Sequence, residues 1–149
     1  MIKAEDLRIG DLVRVSCNCS LAEGTIGTIV EISKETNAED TKGFVRLIPI
    51  NSISNYGWGI YCDNIEGIQL TPEILEKNGW KYISRKGLPW ALFRKKGCSV
   101  RIAYDSKDDK VPFSVGKEIQ ELKNINYVHE FLHILWVLGE DANLKIKKL

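Results

Sequence analysis

Short β-prone segments separated by turns fill the first half of this chain, and they constrain its fold more than any other feature. Residues 24–32 are rich in β-branched side chains and punctuated by glycines, which is typical of a bent barrel strand. Pro49 marks the end or the edge of another strand, over residues 43–50. The remaining candidates comprise residues 7–15, 58–61 and 65–70. Strands this short predict a small SH3-like β-barrel over residues 1–70.

A capped helix opens the second half of the sequence. Thr71 is a suitable N-cap, Pro72 takes the first helical position, and Gly79 ends the helix. The strand candidates that follow comprise residues 80–85, 90–95 and 98–104. Lys96-Gly97 predicts a tight hairpin between the last two of them. This part of the chain is therefore expected to form a β-meander.

A C-terminal helix is the clearest element of the second half. Apolar residues recur at helical spacing along one stripe, formed by Val128, Phe131, Leu132, Leu135 and Leu138. We expect Asn124 or Asn126 to cap this helix, Gly139 to end it, and the stripe to pack on the sheet. Residues 105–117 are polar and predict irregular structure. The chain is thus expected to be an α+β protein, with a barrel at 1–70 and an α+β domain at 71–149.

Bulk composition is that of an ordinary globular protein. The 149 residues are 44% hydrophobic and 28% charged. No apolar run approaches the roughly 20 residues that span a bilayer, and the N-terminus lacks the apolar region of a secretory signal. We therefore expect no membrane association and a cytoplasmic location, in which Cys17, Cys19, Cys62 and Cys98 are reduced. Only Cys17 and Cys19 are closely spaced, so the sequence predicts no zinc knuckle and no cofactor.

Charge is distributed unevenly, although the net charge is only +1. Residues 1–76 hold six basic and twelve acidic residues, whereas residues 77–104 hold eight basic and no acidic residues. Aromatic residues interleave with these cations, and such a combination suits phosphates and unpaired bases. The predicted nucleic-acid surface comprises Lys81, Arg85, Lys86, Arg94, Lys95, Lys96 and Arg101.

The basic segment also has a purely structural interpretation. Strand alternation is expected to direct Trp90 and Leu92 into the core, together with alternate residues of the next strand, and to leave the cations as a solvated face. Those alternate residues are Val100, Ile102 and Tyr104. The sequence pI of about 7.6 also lies below the value of about 9 that is common in nucleic-acid binders. A further alternative is that the acidic first half packs against the basic segment 77–104, so that the charges cancel within the chain.

His129-Glu130-Phe131-Leu132-His133 matches the short signature of zinc proteases. Histidines four apart share one helix face and bind zinc, while the intervening glutamate activates the metal-bound water. A third ligand is required, and beyond His133 only Glu140 and Asp141 offer carboxylates, both after Gly139. We therefore interpret His129 and His133 as partly exposed surface residues, with a zinc site as the alternative.

Three stretches resemble an uncharacterised protein family of Bacteroides-type bacteria, whose genes often lie near prophage or mobile elements. They are AEDLRIGDLV at 4–13, IQLTPEIL at 68–75 followed by Gly79-Trp80, and YVH at 127–129 followed by WVLGE at 136–140. Residues 130–133 depart from that family, where Gln, Leu and Asn prevail. The resemblance implies a role in phage or mobile-element biology and no known catalytic residue.

Enzymatic motifs of other kinds are missing from the sequence. It contains neither glycine-rich nucleotide-binding loop, and Ser114 lacks the nucleophile-elbow pattern. We therefore expect a non-enzymatic accessory or adaptor protein of phage or mobile-element type that acts through protein or nucleic-acid contacts. The alternative is a zinc-dependent hydrolase using segment 129–133. The sequence leaves the oligomeric state open.

Overall fold

The computed structural model describes residues 2–33, 43–84, 90–105, 113–117 and 120–146. The chain divides into two compact units, Met1–Ile68 and Gln69–Leu149. Within the described ranges, the units contain two five-stranded antiparallel sheets and two α-helices. The expected α+β class is confirmed. Neither helix is long and apolar enough to cross a membrane, as far as the described residues extend.

The first unit is one antiparallel sheet with the strand order β4-β3-β2-β1-β5. Its strands are β1 (Leu12–Val15), β2 (Ile26–Ser33), β3 (Phe44–Pro49), β4 (Trp58–Tyr61) and β5 (Ile65–Gly67). Single 3₁₀ turns cover Ala4–Asp6 and Cys62–Asn64. Among the described residues β4 and β5 end the sheet without pairing to each other, so no closed barrel is found. The SH3-like barrel stays a prediction.

Alternation along the strands of the first unit directs one face of the sheet into a hydrophobic core. The core includes Val13, Val15, Ile29, Val45, Leu47 and Ile60. A turn at Gly10, with φ of +96°, leads into β1. The buried carboxylate of Asp11 accepts a hydrogen bond from the Arg8 backbone N–H at 2.8 Å, which stabilises that turn.

Helix α1 (Pro72–Lys77) begins and ends where its local sequence predicts. The Thr71 hydroxyl oxygen accepts from the Ile74 N–H at 3.3 Å, and Pro72 occupies the first turn. Gly79 adopts φ of +83°, and the N–H of Trp80 donates to the Leu75 carbonyl at 3.0 Å. This Schellman ending turns the chain so that Trp80 enters the core.

The second unit contains a five-stranded meander with the order β10-β9-β8-β7-β6. Its strands are β6 (Lys81–Ser84), β7 (Trp90–Arg94), β8 (Val100–Asp105), β9 (Phe113–Lys117) and β10 (Gln120–Ile125). The expectation of irregular structure over 105–117 is wrong at both ends, because Asp105 belongs to β8 and the buried Phe113 and Val115 belong to β9. Residues 106–112 lie outside the described part of the chain. Two buried residues separated by Ser114 are too short a pattern to stand out in the sequence.

Helix α2 (Val128–Val137) has Tyr127 as its N-cap residue, so the expected caps Asn124 and Asn126 are wrong. The backbone of Asn124 pairs with Ser114 in the sheet, and the carbonyl of Asn126 accepts from the Leu70 N–H at 2.8 Å. Gly139, with φ of +70°, ends the helix as expected. The buried ring of Phe131 packs edge-on against Trp80 at 5.3 Å, which joins α2 to the residue before β6.

Candidate functional site

Three cations of the basic segment lie side by side on one face of the second sheet. Lys81 pairs directly with Arg94, and Arg94 pairs directly with Arg101. Directly opposed residues of antiparallel strands share a face, with Cβ atoms about 4.5–5.5 Å apart. Lys81, Arg94 and Arg101 therefore form a row across β6, β7 and β8, here called the cationic row.

The three side chains of the cationic row form no ion pair within the described part of the chain. Lys81 and Arg94 are exposed, and Arg101 is half-buried. The next position of the row, on β9, is Gly116, which has no side chain, and the position beyond it, on β10, is Glu121. Like charges directly opposite each other destabilise a sheet. A bound anion would relieve this repulsion, so the row is a candidate anion-binding surface.

The other predicted cations do not join the row. Lys95 extends toward the end of α2, where its Nζ lies 3.8 Å from a carboxylate oxygen of Asp141. Lys96 is exposed in the turn that Gly97, with φ of +79°, completes. Arg85 and Lys86 lie outside the described residues. The structure thus brings three of the seven predicted residues together and directs Lys95 elsewhere.

Strand β7 is buried on both faces, because the consecutive residues Ala91, Leu92 and Phe93 are all buried. Leu92 pairs with Ala103, and Phe93 pairs with Ile102, so Phe93 and not Leu92 shares the face of the buried Ile102. Leu92 lies on the face of the cationic row and is itself buried. The expectation that Leu92 is buried is confirmed, but Leu92 lies on the opposite face of the sheet from Val100, Ile102 and Tyr104.

Glu140 anchors the hairpin that carries two residues of the row. Its Oε1 accepts hydrogen bonds from the Ser99 N–H at 2.9 Å and from the Ser99 hydroxyl at 2.5 Å. These hydrogen bonds lower the pKa of the Glu140 carboxyl group. The Glu140 N–H in turn donates to the Leu135 carbonyl at 2.9 Å, in the Schellman ending of α2. The start of β8 is thereby attached to the end of α2.

The thiol of Cys98 lies beside this anchor. Burial raises the pKa of Cys98, so the thiol is protonated and uncharged next to the ionised Glu140. Sequence reasoning considered Glu140 only as a distant zinc ligand and missed its role. An acidic residue directly after a helix-ending glycine is the only signal that the sequence offered.

The segment His129–His133 is built into the start of α2. His129 is buried, at 5% exposure, and its ring stacks on Tyr127 at 5.6 Å, so the expectation of a partly exposed surface residue is wrong for it. The ring of the half-buried His133 meets that of His129 edge-on at 6.0 Å. The helix therefore brings the two imidazoles together, as the spacing predicts.

The carboxylate of Glu130 caps the start of helix α2, so it does not have the role of a catalytic base in this structure. Its Oε2 accepts from the N–H groups of Asn126 at 2.8 Å and Tyr127 at 3.1 Å, while its Oε1 lies 3.9 Å from Lys123 Nζ. This is the position in which a carboxylate caps a helix start. Across the described residues, no group of three or more His, Cys, Asp or Glu side chains is arranged to hold a metal ion.

None of the four cysteines forms a disulfide bond. Cys17 and Cys19 lie in the loop after β1, and Cys62 is buried in the core of the first unit. Cys98 belongs to the second unit.

No protein-family model, no curated protein and no solved structure matches this chain. The resemblance to the Bacteroides-type family therefore stays a prediction.

Proposed function

We propose that this chain is a non-enzymatic accessory protein that binds nucleic acid by placing the cationic row against the phosphate backbone. One observation carries the proposal: the strand register sets Lys81, Arg94 and Arg101 next to each other with no carboxylate partner among the described residues. A phosphate backbone supplies counter-charges to these three side chains, which form no ion pair among the described residues, and base identity does not enter such contacts.

The geometry suits a short stretch of backbone. Neighbouring strands lie about 4.8 Å apart, so the row extends over about 10 Å, which corresponds to roughly three nucleotides at 3.4 Å each. Because the net charge of the chain is only +1, attraction to phosphate is local to this face. An accessory role in phage or mobile-element biology, which the family resemblance suggests, is part of the same proposal.

Fluorescence anisotropy with labelled single-stranded DNA, single-stranded RNA and duplex DNA tests the proposal. Three phosphate contacts predict a slope of log binding constant against log salt of about −2 for single strands and about −2.7 for duplex. The Lys81→Ala/Arg94→Ala/Arg101→Ala variant is expected to bind at least about ten-fold more weakly at low salt, with most of the slope lost.

A matched control removes equal charge elsewhere. Lys3, Lys77 and Lys123 are exposed lysines, each within 4 Å of a carboxylate oxygen, and their triple alanine variant should bind like the unmodified protein. Equal weakening of both triple variants, or no binding of any probe at low salt, contradicts the proposal. In that second case, an acidic protein that binds the row would be the partner to seek.

A further inference from the structure

The strands at the ends of the two sheets differ in how they are protected against pairing with another chain. Natural edge strands are kept short, charged or bulged for this purpose. Strand β5 has three residues, with Glu66 in an ion pair with Arg14 at 3.8 Å. Strand β6 begins with the exposed Lys81, and β10 contains a register shift between Glu121 and Lys123.

Strand β4 is short, with four residues, but it is neither charged nor bulged. Its sequence is Trp58-Gly59-Ile60-Tyr61, it pairs with β3 without a register shift, and no charged residue occurs from 47 to 62. Trp58 is 41% exposed and Tyr61 is 53% exposed, so both ends of the strand are accessible. An apolar, regular edge of this kind is a template for another strand.

The direction of the backbone groups shows what the β4 edge offers. The Cys62 N–H donates to the Gly43 carbonyl at 3.0 Å, so the backbone N–H of Cys62 points toward the β3 side of the strand. Hydrogen-bonded pairs alternate along an antiparallel ladder. The backbone N–H and C=O groups of Ile60 and Trp58 therefore also point toward β3, whereas those of Gly59 and Tyr61 point outward, away from the sheet.

We propose that β4 pairs antiparallel with β4 of a second copy of this chain, centred on Ile60, so that two sheets become one. In that register Gly59 of each copy lies opposite Tyr61 of the other, and both exchange their outward backbone hydrogen bonds. A bulky side chain meets a glycine at both places, which makes the edge complementary to itself. On the opposite face, Ile60 meets Ile60 of the second copy.

Aromatic packing already present on β3 and β4 extends naturally into such a pair. The ring of Phe44 lies over Gly59, in the space that a Cβ would fill, and it meets Tyr61 edge-on at 5.7 Å. Tyr61 of the second copy would lie beside Gly59 on this same face and lengthen the aromatic row. Such contacts between aromatic rings add about 0.5–1.5 kcal/mol beyond burial.

Charge argues for a second copy as the occupant. Residues 1–68 hold six basic and ten acidic residues, yet the edge itself is uncharged, so two copies meet there without opposed like charges. A two-fold pair also satisfies both edges at once and closes the assembly. The exposed Ile53 and Tyr56, in the loop before β4, enlarge a contact that four strand residues alone would leave small. The inference is independent of the proposed nucleic-acid binding.

Sedimentation equilibrium of the whole chain over about 1–100 µM tests the pairing, in the range where small interfaces dissociate. The expected mass rises with concentration from 16.9 kDa toward twice that value. Tyr61→Pro should remain at the lower mass, because proline removes the outward N–H. Tyr61 has φ of −70°, which proline adopts without strain, and its N–H is not used within the chain's own ladder.

Tyr61→Val is the matched control, since it keeps the N–H and should still dimerise, with at most about ten-fold weaker association. Circular dichroism of all three proteins verifies that they fold. Amide hydrogen exchange supplies a second measurement that needs no variant: exchange at Gly59 and Tyr61 should slow as protein concentration increases. A wild-type mass that stays at 16.9 kDa across the range, or a Tyr61→Pro variant that dimerises like wild type, overturns the inference.

Discussion

Glu140 accepts both hydrogen bonds that Ser99 donates, one from the backbone N–H at 2.9 Å and one from the hydroxyl at 2.5 Å. The two residues are far apart in sequence, and their contact fixes the β7–β8 hairpin to the end of α2. Lys95 and Asp141 form a second contact between the same two elements, at 3.8 Å. These contacts hold the hairpin that carries Arg94 and Arg101 in place, in addition to the hydrogen bonds of the sheet itself.

Replacing Glu140 by glutamine is expected to destabilise the fold by about 1 kcal/mol. The substitution weakens two hydrogen bonds to a charged acceptor, and partial exposure to water keeps the loss toward the low end of the usual range. Urea unfolding monitored by circular dichroism measures the change. Glu76→Gln, at an exposed carboxylate of α1 without a side-chain hydrogen bond among the described residues, should change stability by less than half as much. Equal effects of the two substitutions would show that the anchor is unimportant.

The same anchor should make part of the stability depend on pH. The Ser99 hydrogen bonds lower the pKa of Glu140 in the folded state, so the unfolded chain binds this proton more readily. The stabilisation is therefore complete above the unfolded pKa of about 4.3 and is lost as pH falls through the lower folded value. The difference in unfolding free energy between wild type and Glu140→Gln should shrink when urea titrations are repeated from neutral pH toward about pH 3. A constant difference across that range would contradict this assignment.

Helix ends could be read from the sequence because their chemistry is local. Thr71, Gly79 and Gly139 each act within one turn of their own position, and the structure confirms all three. The N-cap of α2 was predicted wrongly for a non-local reason. Asn124 has the right side chain for a cap, but its backbone is committed to pairing with Ser114, and the helix starts only after that strand ends.

The cationic row could not be read from the sequence because it depends on strand register. In Trp90-Ala91-Leu92-Phe93 every residue is apolar, so periodicity does not indicate which face is buried. Both faces of β7 are in fact buried at Ala91, Leu92 and Phe93, and the observed register, which pairs Leu92 with Ala103, aligns Arg94 with Arg101. A shift of one residue would have placed Arg94 on the opposite face and dispersed the row.

Glu130→Ala should destabilise the protein by about 1 kcal/mol through loss of the helix cap. The Asn126 and Tyr127 N–H groups would lose their acceptor, which is a structural effect that a catalytic base would not produce. Urea unfolding provides the measurement, and Glu73→Ala is the control, because among the described residues the Glu73 side chain makes only an exposed ion pair with Lys77. Full stability of Glu130→Ala, together with stoichiometric zinc in protein purified without a histidine tag, would favour the hydrolase alternative instead.

Arg94 is the middle residue of the cationic row, and its replacement should change stability and binding in opposite directions. Arg94→Gln removes like-charge repulsion toward both Lys81 and Arg101, which should stabilise the fold by about 0.5 kcal/mol in low salt. The same variant should bind single-stranded DNA several-fold more weakly, with the salt slope reduced by about 0.7. Arg46→Gln is the matched strand control: Arg46 pairs with Glu31 at 3.3 Å, so its loss should slightly destabilise the fold and leave binding unchanged. If Arg94→Gln lowers stability and binding together, the row is part of the scaffold and the weaker binding follows from unfolding.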